Sequence, residues 1–165
     1  MPVLPPDDRP VAQVGLRVTT ASWTDVVAVV ELCGPEALAA RFLGAGAPPR
    51  AEVLGRLART LHEGRTLVAS VGRPVGLLGV HPDGEQRAEL CALVADAYQA
   101  RGVGTALLAA ELGSSRHRDR TLHALVAHGN LAAHGLVRSA ARRVPVTRHR
   151  ATDGVEYVLH PRGPA

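Results

Sequence analysis

Residues 99–104 read Gln-Ala-Arg-Gly-Val-Gly. They stand between an apolar run at 88–94 and a segment in which Val103, Leu107 and Leu108 recur with helical spacing. The first turn of a helix has N–H groups without intrahelical acceptors and carries a partial positive charge. Glycine at 102 and 104 removes the β-carbons that would hold a ligand away from those amides. The chemistry this suits is the binding of a phosphate or diphosphate, with Arg101 adding a charge-assisted contact at the rim. The same pair of glycines also serves ordinary strand–helix turns. The stretch is not a dinucleotide fingerprint, because a third glycine would fall at position 107, which is Leu. It is not a Walker loop either, because the chain contains no Lys, and a nucleotide switch is excluded on the same ground.

The elements around this stretch alternate between the two periods of secondary structure. Residues 14–20 and 66–71 read as strands, and 74–81 pairs with 66–71 as a hairpin across Gly72-Arg73. Residues 88–94, 121–127, 144–150 and 154–160 complete a set of about seven strands. Ser22 and Asp25 stand at capping-box spacing ahead of a helix that closes on Gly34. Pro35 opens a second helix that Gly44 ends. Residues 50–64 place Val53, Leu54, Leu57 and Leu61 on one stripe. A helix follows the glycines, and another runs over 130–143 behind Asn130 as N-cap. The order predicts an α/β (α+β) layer fold in one domain, residues 14–165, behind a flexible arm at 1–13.

Composition narrows the function classes. The chain has 165 residues, 46% of them hydrophobic and 2% aromatic, with a formal net charge of +4. Its arginines are scattered and aromatics are few, so a nucleic-acid surface is not expected. The N-terminus shows no secretory pattern, no apolar run reaches membrane-spanning length, and Cys33 and Cys91 read as small buried hydrophobes; a cytoplasmic protein is expected. The eight histidines form no H-x-x-x-H pair, and no metal is expected.

Gln99-Ala100-Arg101-Gly102-Val103-Gly104-Thr105-Ala106-Leu107-Leu108 behind an apolar strand resembles the Q/R-x-x-G-x-G/A motif of the GCN5-related N-acetyltransferase (GNAT) superfamily. The likeness extends over roughly residues 14–161 and includes similarity to the bacterial protein-acetylating branch. It implies a mixed central sheet of about seven strands with a splayed β4/β5 pair, flanked by four to five helices. It also implies acetyl-CoA as cosubstrate. The diphosphate would rest on Gln99, Ala100, Arg101, Gly102, Val103, Gly104 and Thr105, and the pantetheine arm would pair with the strand edge near Leu93 and Val94. Asn130 would bond the pantetheine amide, or else only cap its helix. The acceptor would be a primary amine, on a protein lysine or a small molecule, in a monomer or homodimer.

An ammonium must lose its proton before it attacks a thioester. The resemblance places a general base at Glu89, which alternation puts on one face with Cys91 and Leu93, among apolar neighbours; Glu85 is a second choice. The tyrosine that often protonates the leaving thiolate in this family has no counterpart in 130–143. That departure keeps a rival reading open, a catalytically degenerate acyl-CoA-binding or regulatory module. Acceptor contacts are expected from 31–45 and 149–155. Trp23 is expected to pack its helix, Tyr98 and Tyr157 to pack or line a rim, and His134, Arg148 and Arg150 to face solvent.

Overall fold

The computed structural model describes residues 15–41, 46 and 48–161. The arm expected at 1–13 and the end of the second helix expected at Gly44 lie outside them. The elements are β1 (Arg17–Thr20), α1 (Trp23–Leu32), α2 (Pro35–Arg41), α3 (Arg50–Glu63), β2 (Arg65–Ser70), β3 (Pro74–Pro82), β4 (Arg87–Val94), α4 (Val103–Leu112), β5 (Thr121–Ala127), α5 (Leu131–Ala140), β6 (Val146–Arg150) and β7 (Gly154–Leu159). The strands form one sheet in the order β1-β2-β3-β4-β5-β7-β6. Every neighbouring pair is antiparallel except β4 and β5, which are parallel.

The central strands are apolar on both faces because both faces are covered. On β2 and β3, Val68 and Leu77 join Leu93 in a core with Val26, Val29 and Val30 of α1 and Leu57 of α3. Their sequence neighbours Leu67 and Leu78 point the other way, into a core with Leu90, Leu122, Leu159 and the α4 residues Val103, Leu107 and Leu108. α4 starts close against the sheet. A β-carbon on Gly76 would stand 2.8 Å from Val103 Cγ1, so the bare backbone of β3 is what lets the head of α4 settle there.

Local chemistry fixes the helix ends. Ser22 Oγ accepts the Asp25 N–H at 3.3 Å and Asp25 Oδ2 accepts the Ser22 N–H at 2.8 Å, the capping box that the spacing predicts. At the other end of α1, the Arg50 guanidinium donates to the carbonyls of Val30 and Cys33, tying the start of α3 to helix carbonyls that would otherwise lack partners. Cys33 is buried, and burial pushes its thiol up to about 12, as befits a packing residue. Trp23 departs from expectation: it is 46% exposed at the first position of α1 and does not pack the core.

Residues 114–120 read as a polar link, yet they carry a buried histidine. His117, in a single 3₁₀ turn, and Arg65 of β2 both bind Glu111 of α4, which is fully buried. Arg65 Nε donates to Glu111 Oε2 at 3.1 Å. Burial alone would raise the Glu111 carboxyl, but the hydrogen bond and charge of His117, together with Arg65, outweigh it and hold the group below the ordinary carboxylate range. A carboxylate depressed in the folded state stabilises fully above the unfolded value of 4.5, and that contribution is lost as pH falls through the folded value. Urea titrations should therefore show stability declining on acidification below about pH 4.5, and the decline should be shallower in Glu111→Gln. At neutral pH the same variant should lose about 3 kcal/mol, since removal of one partner leaves buried polar groups unmatched.

Candidate active site

The site is built where the parallel pair comes apart. β4 and β5 are in register at only three positions: Arg87 with Thr121, Ala88 with Leu122, and Glu89 with His123. Beyond Glu89 the strands diverge, and a cleft of about 670 Å³ opens between them. Each strand remains held on its other edge. β4 keeps its ladder to β3 from Ala88 to Val94, and β5 keeps its ladder to β7 from Leu122 to Ala127. The free edge of β4 over Leu93 and Val94, and the opposite edge of β5 at Ala124 to Val126, line the gap.

One end of the cleft is the head of α4. Ala100 and Gly102 both have left-handed backbones, with φ of 55° and 85°, and they turn the chain into the head of α4, whose first residues line the cleft. No side chain caps this helix. Gly102 is required by its φ, whereas Gly104 faces α5: a β-carbon there would stand 3.4 Å from Leu136 Cδ2, an ordinary packing contact. Its bareness therefore serves the fit of α4 to α5 as well as access to the amides. Ala100, Val103 and Thr105 also line the cleft, with Val103 buried over Gly76. Gln99 reaches back, Nε2 donating to Val94 O at 3.1 Å, and so fixes the loop to the end of β4. The Arg101 guanidinium lies over the Tyr98 ring, 5.5 Å from its centre. Asp96, at the start of this loop, accepts the N–H of Gly34 from the joint between α1 and α2 at 2.5 Å.

Glu89 sits at the apex of the divergence and lines the cleft, facing the α2–α3 side with Cys91 and Leu93. It is exposed, although the cleft that it lines is largely apolar. Glu85 lies in the β3–β4 turn and lines a separate shallow depression. Asn130 caps α5, its Oδ1 accepting the Ala133 N–H at 3.0 Å, and it lines the cleft as well. Of the expected acceptor segments, Ala37, Ala40 and Arg41 reach the cleft, while 149–155 form the β6–β7 turn region away from it; residues 42–45 lie outside the described residues. Arg148 and Arg150 are exposed on β6.

Several residues acquire roles that their sequence context does not announce. Cys91 is a cleft residue as well as a packing one; burial pushes its thiol up, and Arg41 lies within hydrogen-bonding reach of it. His134 is buried, not solvent-facing: Nε2 bonds Ala127 O at 3.0 Å and Nδ1 bonds the Tyr157 hydroxyl at 2.8 Å. Next to Glu89, His123 Nε2 meets Thr121 Oγ1 at 2.8 Å and its Nδ1 meets Glu156 Oε1 at 3.0 Å. Hydrogen bonding from His123 holds the Glu156 carboxyl below the ordinary range. The signal for these pairings is weak in sequence, since the partners are separated by up to 33 positions. Among the described residues no three His, Cys, Asp or Glu side chains gather as a metal set, and no helix is long and apolar enough to cross a membrane.

Comparison with known proteins gives a consistent picture. Residues 37–140, well over half of the chain, match the pattern of the acetyltransferase (GNAT) family. Among solved structures, the GNAT domain of PAT from S. lividans is similar, with TM-score 0.69 and 24% identity over 87% of this chain and 89% of that one. A putative acetyltransferase from Salmonella typhimurium, solved with acetyl-CoA, has TM-score 0.63 and 19% identity over 87% and 91%. A diaminobutyrate acetyltransferase from Paenibacillus lautus, solved with L-2,4-diaminobutyric acid and coenzyme A, has TM-score 0.66 and 15% identity over 92% and 98%. No curated protein sequence matches significantly. With the split parallel pair, the uncapped head of α4 and the family match over the intervening core, the chain belongs to the acetyltransferase (GNAT) family.

Proposed function

We propose that the protein is an N-acetyltransferase that moves the acetyl group of acetyl-CoA to a primary amine by direct attack, with Glu89 as general base. The observation that carries this is the meeting, in one cleft, of an uncapped helix head and an exposed carboxylate at the apex of the β4–β5 divergence. The residues fit the cosubstrate. The N–H groups of Gly102, Val103 and Gly104 suit a diphosphate, and the edge of β4 near Leu93 and Val94, which no strand covers, suits the amides of a pantetheine arm laid as an added strand. The family membership and the acetyl-CoA and coenzyme A held by similar structures support the same reading.

The steps follow from these positions. The acceptor enters from the α2–α3 side as an ammonium, and Glu89 takes its proton directly or through water. The nitrogen lone pair attacks the thioester carbon. An N–H of the β4 edge stabilises the developing oxyanion. The C–S bond breaks, the thiolate leaves, and the second proton shed by the nitrogen passes through water to the sulfur, whose thiol pKa near 8.5 makes it the acceptor. Asn130 holds the head of α5 against the cleft through its cap, and Asn130→Ala should cost about 1 kcal/mol in urea denaturation.

A second reading, a module that binds acyl-CoA without turnover, draws on one observation: α5 presents Leu131, Leu136 and Val137 to the cleft and no tyrosine, and Tyr98 of the glycine loop is the one phenol among the described lining residues. Thiol-release assays across polyamines, amino acids, aminoglycosides and lysine peptides separate the two. Glu89→Gln should lower kcat about 10²- to 10³-fold with acetyl-CoA affinity unchanged by calorimetry. Unaltered turnover would remove Glu89 from the mechanism, and binding without turnover on any acceptor would favour the module. Gly102→Val should weaken acetyl-CoA at least tenfold, because a β-branched residue resists the left-handed backbone that aims the amides. If the wild-type chain takes up no acetyl-CoA, both readings fail.

A further inference from the structure

Glu89 stands in the middle of a row. His81 of β3 is its register partner in the antiparallel ladder, and His123 of β5 is its register partner in the parallel one. Register partners share a face of the sheet and lie about 5 Å apart, so both imidazoles neighbour the carboxylate. Each ring is backed by a second carboxylate. His81 Nε2 is 3.7 Å from Glu63 Oε2 of α3, and His123 Nδ1 is 3.0 Å from Glu156 Oε1 of β7. His81 Nδ1 is buried and has no hydrogen-bond partner among the described residues. On the far side of the His123 ring, Thr121 Oγ1 lies 2.8 Å from Nε2 and 3.4 Å from Gln86 O. Its hydroxyl can donate to a neutral Nε2, or turn to Gln86 O and accept from a protonated one. Other charged groups stand around the row. Arg87 reaches Glu156 at 3.6 Å and Asp83 at 3.3 Å, and His149 of β6 is opposite Glu156. Arg41 and Arg56 line the cleft, with Arg56 Nη2 donating to Glu52 Oε1 at 2.6 Å.

Resting on the acetyl-transfer reading, we propose that His81 and His123 are positioning residues that act through Glu89: they receive the proton that it removes from the acceptor and so restore its ionised form. Carboxylates as a class bind protons less tightly than imidazoles, about 4.3 against about 6.5 in model peptides, so a proton handed from one to the other moves downhill. Only protons change place. The ammonium proton passes to a Glu89 carboxylate oxygen, then directly or through water to an imidazole nitrogen, and the imidazolium releases it to solvent. Glu63 and Glu156 favour the charged rings between those two events. Hydrogen bonding from His123 holds the Glu156 carboxyl below the ordinary range, so it remains charged behind the ring.

The experiment uses the full chain and two readouts, of which the first needs no acceptor. Imidazole NMR spectra, with His81→Asn and His123→Asn to assign the rings, follow each titration in the wild type and in Glu89→Gln. Loss of the neighbouring carboxylate should lower both midpoints by about 0.5 pH unit or more, while the signal of His134, on the opposite face of the sheet, keeps its behaviour. The second readout is kcat against pH, at saturating acetyl-CoA and the fastest acceptor of the thiol-release panel. His81→Asn/His123→Asn should lower kcat about tenfold at neutral pH and move its acid limb down by about one pH unit or more. Acceptor KM and acetyl-CoA affinity should stay within about twofold, because neither ring touches a ligand. Should the double variant fold poorly, Glu63→Gln and Glu156→Gln keep both rings and should move the limb in the same direction. Ring midpoints that ignore Glu89→Gln overturn the proposal, as does an acid limb that stays in place, or a loss confined to acceptor KM. Turnover of Glu89→Gln, measured alongside, reports on the acetyl-transfer reading separately: where Glu89 proves essential and the histidines do not, the relay alone fails.

Discussion

The structure turns on a parallel strand pair that stops after three residues. A sheet ordinarily continues its ladder because unpaired backbone groups inside a protein are costly. Here β4 and β5 can part because each is secured on its far side, β4 by β3 and β5 by β7, along nearly its whole length. Past Glu89 and His123 the facing edges have no strand partner in each other. The gap is thus a ready receptor for something extended and rich in amides, and the strand register decides that Glu89 stands at its closed end.

The second constraint is the seat of α4. Its first residue, Val103, rests over Gly76, and its flank meets α5 through Gly104 and Leu136. The buried Glu111 near its other end is clasped by Arg65 and His117. A helix held at head, flank and tail cannot swing its opening amides away from the cleft. Anion binding by a helix terminus depends on such fixed donors, since amides that must first be ordered give back much of the gain.

Much of this layout was legible in the sequence. Two-residue alternation marked the strands, the Ser22–Asp25 spacing marked the head of α1, and the glycine loop marked the head of α4, because each is a local pattern with a local cause. The split of β4 from β5 came only through resemblance, since nothing in either strand encodes where a parallel ladder ends. Long-range groupings were not legible. His134 stood on what read as an open helix face and proved buried against Tyr157; His117 sat in an apparently polar link and proved part of a buried ion cluster. Arg41 and Arg56 were two among 19 basic residues, with no feature to single them out until α2 and α3 folded over the same face. Glu89 was expected among apolar neighbours because alternation gives a side chain its face, but not the point at which that face opens to solvent.

Asp96 belongs to the loop that leads into the head of α4, yet it grips the N–H of Gly34, the joint from which α2 extends towards Arg41. The glycine loop and the α2 wall of the cleft are consequently hinged on a single peg. The two walls of the cleft are mechanically continuous, so free energy spent ordering one wall is not spent again on the other. By thermodynamic reciprocity, whatever help the first ligand gives to the second is returned in equal measure.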